Sequence, residues 1–400
     1  MIIIIAFLLL LLAGIIYIDF RDILAPAFLS LVVWGFLLFF YGILDHGMYA
    51  LSERTLYILL LWNVTLCCGA LLFSKVNLRH RDEGICSIYI NPIIQNVYRI
   101  IVFAGTPYLF YIAYKQGMTG DSDFLFNLRM ANTGIVKSDY EYGLFEYVIP
   151  IAYILLIVEL LQYKKGRNKS FLILFLLINF GFGIMAMAKS SFLFKFGGCL
   201  LVLMLKSRIA INKILIGVIC IVVLMASIQL LRAGDDDTAQ VLSKMFYTYI
   251  FGGIPALDTI VETDVRSVVP GQLTASFFRN VKNKIGFPAS GELEFLNNVF
   301  DENNYVYIPT PTNVYTVVSP FYMDFSYCGI ICFAFITGAI AGILYRMTRK
   351  GQAFGIILYS YIACVLVLQF FAEYIFNNFS YFLQLILWSW ILTTRWKCHL

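Results

Sequence analysis

The feature that most constrains this chain is a series of long, uninterrupted apolar runs. Eleven stand out, at residues 1–18, 23–44, 55–74, 94–114, 144–163, 170–187, 190–206, 212–231, 321–345, 353–372 and 380–394. A helix needs about 20 apolar residues to cross the hydrocarbon core of a bilayer. The runs are continuously apolar and do not alternate, so helices suit them and barrel strands do not. Composition agrees: of 400 residues, 60% are hydrophobic and only 13% charged, against about 25% charged in a soluble domain. The sequence predicts an all-α polytopic membrane protein, one membrane domain over residues 1–400 with about eleven transmembrane helices. The first run lacks a basic leader and a small-residue cleavage site, and reads as a retained span rather than a signal peptide.

Lys and Arg concentrate in the cytoplasmic loops of membrane proteins. One set of alternate loops holds seventeen basic and five acidic residues, net +12, including Arg79, Arg81, Lys164, Lys165, Arg167, Arg346, Arg349 and Lys350. The opposite set holds twelve basic and nineteen acidic residues, net −7. Every strongly basic loop falls on one side of an eleven-span layout. That places the N-terminus outside and the C-terminus in the cytoplasm. Two long external loops follow, about 115–143 and about 232–320. Within the second, Met245–Val261 is fairly apolar but is interrupted by Gly252, Gly253 and Pro255. A full span there would reverse every later loop, so an interfacial or re-entrant helix is expected.

Several function classes recede on these grounds. A net charge of +5 argues against a nucleic-acid partner. Neither long external loop holds any of the nine cysteines, so no external disulfide framework is expected. The three histidines lie in different loops, which argues against histidine-based metal or triad chemistry. No Walker or dinucleotide motif is present. No cofactor and no metal are expected.

The external basic residues are the exceptions that need explaining. Arg129 sits in DFLFNLRMANTG, Lys189 on a short turn between two spans, and Lys195 one to two turns inside the next helix. Arg232 ends a long span, and Arg266 and Arg279 follow in the large loop. Each could simply snorkel to headgroups. As a set they suit an anionic headgroup such as a pyrophosphate, with Arg giving forked hydrogen bonds and Lys a compact charge. Among the carboxylates, Asp324 near the start of one span and Glu373 at the end of another lie at the membrane edge. Such a group can titrate near neutrality and act as a general base, or it can pair with an external arginine. The Asp235–Asp237 run reads as a solvated loop, and Arg99 and Glu159 as anchoring or pairing residues. Tyr305, Tyr307 and Tyr315 could stack on sugar rings or serve as ordinary packing.

The segment Pro311–Tyr345, PTNVYTVVSPFYMDFSYCGIICFAFITGAIAGILY, resembles the late segment of bacterial oligosaccharide repeat-unit polymerases, the Wzy-type O-antigen and capsule polymerases. The family pattern is roughly N-V-Y-T, a gap, then Y-x-D-F-G-x-x-G opening an apolar helix. This chain supplies Asn313, Val314, Tyr315, Thr316, Tyr322, Asp324, Phe325 and Gly329, and departs at Ser326, where Gly is usual. Lys189 stands where many members carry Arg. The resemblance implies a multi-span glycosyltransferase of GT-C-like layout in the bacterial inner membrane. Its substrates would be undecaprenyl-diphosphate-linked oligosaccharides, with a chain-length regulator and a flippase as further partners. On that reading Arg129, Lys189 and Arg232, with Arg266 and Arg279, hold the diphosphate. Asp324 or Glu373 orients or deprotonates the acceptor hydroxyl, and Tyr315 and Tyr322 contact sugar. The related O-antigen ligases, polysaccharide flippases and membrane O-acyltransferases are the rival classes.

Overall fold

A computed structural model describes residues 1–75, 88–120, 123–132, 140–163, 169–206, 247–286, 293–301 and 304–395. The protein is an all-α membrane protein with several spans. The described helices are α1 (Ile2–Phe20), α2 (Pro26–Ile43), α3 (Glu53–Ser74), α4 (Pro92–Gly117), α5 (Phe124–Asn132), α6 (Val148–Gln162), α7 (Lys169–Ala186), α8 (Lys189–Lys206), α9 (Gly253–Glu262), α10 (Ser276–Lys284), α11 (Ser319–Arg349), α12 (Ala353–Val367) and α13 (Phe379–Thr393). Ten of the eleven apolar runs coincide with helices; the run at 212–231 lies outside the described residues. Among the described residues, seven segments are long and apolar enough to cross a membrane: α1, α2, α3, α4, Gly143–Gln162, α7 and α11.

Local signals set several helix starts. Pro26 and Pro92 occupy first-turn positions, where the missing N–H costs nothing. The Ser52 hydroxyl caps α3 by accepting from Thr55 N at 3.2 Å, and Asn91 Oδ1 caps α4 by accepting from Ile93 N at 3.0 Å. The only strands among the described residues are two-residue pairs: β1 (Arg266–Ser267) with β2 (Phe295–Leu296), and β3 (Val306–Tyr307) with β4 (Pro311–Thr312), both antiparallel.

The chain divides into two compact units. The first comprises residues 1–79, 239–349 and 365–382; the second comprises 80–238, 350–364 and 383–400.

In the first unit α3 and α11 touch backbone to backbone. A Cβ on Gly338 would collide with the Leu66 carbonyl oxygen, and one on Gly69 with the Phe335 carbonyl oxygen. One on Gly342 would lie 2.6 Å from the Ala70 carbonyl oxygen. Gly338 and Gly342 thus form a small-xxx-small face, the device by which helices approach closely in lipid. The two helices run in the same direction. Arg54 at the start of α3 bonds Tyr322 and Tyr327 at the start of α11. Ser74, ending α3, lies beside Gly342. Beyond it, Asp22 in the α1–α2 turn accepts from Tyr345 at 2.7 Å and pairs with Arg349 at 3.1 Å.

A buried polar hub joins these helices. Gln369 Oε1 accepts from Trp34 Nε1 at 2.9 Å and Trp62 Nε1 at 3.0 Å, and Ser30 Oγ, 3.2 Å away, has its nearer acceptor in Asn63 Oδ1 at 3.0 Å. Its backbone carbonyl accepts from Val317 N at 2.8 Å. The apolar stretch at 245–261 is helical at 247–251 and again in α9, which at 10 residues is too short to cross a core of about 30 Å. Gly253 is needed there, because a Cβ would strike the Phe370 carbonyl oxygen.

In the second unit Arg99 pairs with fully buried Glu159, donating from Nε at 3.0 Å, and Gln95 donates to the same carboxylate oxygen at 3.0 Å. These residues pair, as their position at helix ends suggests.

Replacing Gln369 by Leu strands two indole N–H groups in a fully buried site. The cost is about 1–3 kcal/mol for each stranded donor. Q369L should lower the unfolding temperature in detergent and alter tryptophan emission; unchanged melting would show that the hub carries no stability.

Candidate active site

A cavity of about 340 Å³ opens in the first unit, between the start of α11, the β3–β4 hairpin and the turn after residue 371. Its walls are aromatic and amide in character. Phe295, Phe300 and Tyr315 form one side, with ring centroids 5.1 Å apart for Phe295–Phe300 and 5.6 Å for Phe300–Tyr315. The Tyr315 hydroxyl donates to the Asn304 carbonyl at 2.5 Å, which fixes the ring. Asn304, Asn313 and Asn377 supply amides. The buried Ser319 hydroxyl, also in the lining, has no hydrogen-bond partner among the described residues.

Glu373 is the one carboxylate among the described lining residues. It is 4% exposed. Its Oε1 accepts from the N–H of Ile375 at 2.6 Å and of Phe376 at 2.9 Å, and Oε2 accepts from Asn377 N at 2.6 Å. Burial pushes the carboxyl above its ordinary range, while these backbone amides pull the other way. The Tyr374 N–H also favours the charged form, so four backbone amides of its own turn surround the carboxylate.

Asp324 looks equivalent in the sequence but is used differently. Its carboxylate accepts from Ser267 Oγ at 2.6 Å, Leu273 N at 3.1 Å, Thr274 N at 2.8 Å and Thr274 Oγ1 at 2.8 Å. Leu273 is part of the cavity wall and Asp324 is not. Asp324 therefore ties the 267–274 segment to α11, with its acceptor positions already taken.

The chain beside this anchor carries two arginines that share one carboxylate. Arg266 donates from Nη2 to Asp264 at 2.6 Å and from Nη1 to the Tyr322 carbonyl at 2.7 Å, and its guanidinium lies 4.1 Å from the Tyr322 ring centroid. Arg54 donates to the Tyr322 hydroxyl at 2.9 Å and lies 3.6 Å from Asp264. Desolvation acts against it, but bonds from Tyr322 and Arg266 hold the Asp264 carboxyl below its usual range. The cluster carries one net positive charge, with Arg54 41% and Asp264 50% exposed at the side chain.

Comparison with known protein families, with curated proteins and with solved structures finds no match.

The residues expected to act together fall into separate groups. Glu373 and Tyr315 share the cavity. Tyr322 does not: it is fully buried beneath Arg266, so it is no platform for a sugar and serves to hold the arginines. Arg279 lies half-buried on α10. In the second unit, Arg129 is half-buried on α5, and Asn132 of that helix donates to Met185 O at 2.8 Å, just before the turn from which Lys189 opens α8. Lys195 is only 4% exposed, and its ammonium reaches back one turn to Ser191 Oγ at 2.8 Å. Arg232 and Asp235–Asp237 lie outside the described residues. Sequence reasoning passed over Arg54, Asp264 and Gln369. Arg54 has no motif around it beyond the helix cap, and its role appears only when α11 is brought alongside.

Inside α11, Ser326 breaks the helix with φ 58° and ψ −145°. This is close to a region open essentially to glycine alone, a physical reason for glycine at that place in the Y-x-D-F-G pattern.

Two outcomes are expected. D324N turns an amide N–H₂ toward the Leu273 and Thr274 N–H groups, at about 1–3 kcal/mol per orphaned donor. Trypsin should then cut at Arg266, Arg279 and Lys282 faster in the variant; equal cleavage would mean that Asp324 does not anchor the segment. S326G relieves about 1–3 kcal/mol of strain against glycine's entropic cost of roughly 0.5–1 kcal/mol. A higher melting temperature in detergent is expected, and a lower one would contradict the strain.

Proposed function

We propose that this protein is an oligosaccharide repeat-unit polymerase of the bacterial inner membrane, acting at the periplasmic face. It transfers a growing chain from its undecaprenyl diphosphate onto a new lipid-linked unit. The observation that carries the reading is the cavity in which one buried carboxylate, Glu373, meets amides, a hydroxyl and an aromatic wall. Amides and hydroxyls match the hydrogen-bonding edges of a sugar, and aromatic rings match its apolar faces.

Chemically, the acceptor hydroxyl oxygen forms a bond to the donor's anomeric carbon as the bond to the diphosphate breaks. Glu373 accepts the hydroxyl proton. The electron pair leaves with the lipid diphosphate, whose charge needs preorganised cations. Arg266 and Arg54, held by Tyr322 next to Met323 of the cavity wall, are one source. Arg279 is a further candidate in the same unit; Arg129, Lys189 and Arg232 belong to the second unit. Asp324 positions the wall.

The eleven-span layout, N-terminus outside, is part of the same proposal. Parallel α3 and α11 support it, since they require an odd number of crossings between them and the layout has five. The basic residues Arg346, Arg349 and Lys350 follow the end of α11 that meets Asp22, opposite the end that bears Arg54.

Reconstituted full-length protein, given a lipid-linked repeat unit, should make a polymer ladder on a gel, with or without chelator. E373Q should elongate at least about 10²-fold more slowly, the scale of general base catalysis; because its amide N–H₂ meets a backbone N–H, it should also melt lower, and the rate is read below the onset of its melting. No ladder with authentic substrate would sink the polymerase reading. A single transfer onto lipid A core would instead mark a ligase. A ladder unchanged in E373Q would remove Glu373 from the chemistry.

A further inference from the structure

The helix α10, SFFRNVKNK, is amphipathic and has no buried residue. Phe278, Val281 and Ile285 follow i, i+3, i+7 spacing, and Phe277 precedes Val281 by one turn, so the four share one face. Of these, Phe278 is 61%, Val281 41% and Ile285 65% exposed. Lys282 lies one turn beyond Phe278, and Lys284 two turns beyond Phe277. The lysines therefore border the apolar face on both sides, and Arg279, Asn280 and Asn283 occupy the back. From residue 265 to 291 the sequence holds four basic residues and no acidic one.

The depth of this helix is set by its neighbour. Phe277 and Phe278 pack on Phe379, with centroids 5.5 and 5.7 Å apart, and Phe379 is the first residue of the apolar helix α13. α10 therefore sits at the level where an apolar helix begins.

We propose that α10 lies in the headgroup layer of the bilayer and binds anionic phospholipid. Phe278, Val281 and Ile285 enter the acyl boundary, while Lys282 and Lys284 snorkel and, with Arg279, meet phosphate groups. Charge selects the occupant: a second protein with an apolar surface alone would leave three cations unmatched, whereas an anionic leaflet matches both halves of the helix. The proposal depends on this being a membrane protein and not on glycosyl transfer.

The test uses the full chain in nanodiscs, with a nitroxide attached through an encoded unnatural amino acid at position 280 or 281. In discs of phosphatidylglycerol and phosphatidylcholine, the label at 281 should relax several-fold faster with oxygen than with a water-soluble nickel chelate, and the label at 280 should show the reverse. In pure phosphatidylcholine, or with K282E/K284E in the anionic discs, the label at 281 should gain access to the chelate. Equal chelate access at 280 and 281 overturns the proposal. So does shielding of 281 from both reagents, which would mean that protein covers this face. Insertion indifferent to both lipid charge and K282E/K284E overturns the anionic preference.

Discussion

One amide oxygen, on Gln369, holds the first unit in register. Two indole N–H groups, from α2 and α3, converge on it. An unmatched N–H in hydrocarbon is costly, so the two indole contacts set the position of α2 and α3 against this residue. The same residue receives Val317 N on its backbone carbonyl. Val317 lies two residues before α11, and Gln369 four residues before Glu373. A contact deep among the helices thus fixes two walls of the cavity relative to each other.

The two carboxylates at the mouth of the unit show how environment divides similar residues. Asp324 faces four donors from a segment far away in sequence and becomes a clamp. Glu373 is wrapped by four amides of its own turn, which favour its charge while burial resists it. The clamp and the acceptor are linked, because the segment that Asp324 grips includes Leu273 of the cavity. The arginines add a third layer. Tyr322, interposed between Arg54, Arg266 and Asp264, keeps two like charges close without neutralising both.

Much of this architecture was legible in the sequence, and the reason is physical. Continuous apolar runs mean a helix in lipid whatever their detailed order, so ten of eleven runs could be located as helices. The break near Gly252–Gly253 was legible for the same kind of reason, since those residues and Pro255 weaken a helix locally. Roles set by distant partners were not legible. Nothing around Gln369 announces two tryptophans more than 300 residues away. Tyr322 read as a sugar contact because it belongs to a motif, yet its ring is enclosed. Arg54 looked like any base at a helix start. Asp324 and Glu373 were indistinguishable until the donors around each could be traced, to a distant segment for Asp324 and to its own turn for Glu373.

The break at Ser326 has a mechanical consequence. The part of α11 after the break is locked to α3 by glycine faces, and its tilt must follow the thickness of the surrounding bilayer. The turn before it carries Ser319, Met323 and Asp324 and answers to the loop segments. A continuous helix would act as a lever, converting every change in tilt into a displacement of the cavity wall. Interrupted at 326, the rod and the turn can settle against different partners, and the cavity is insulated from the membrane in which it is built.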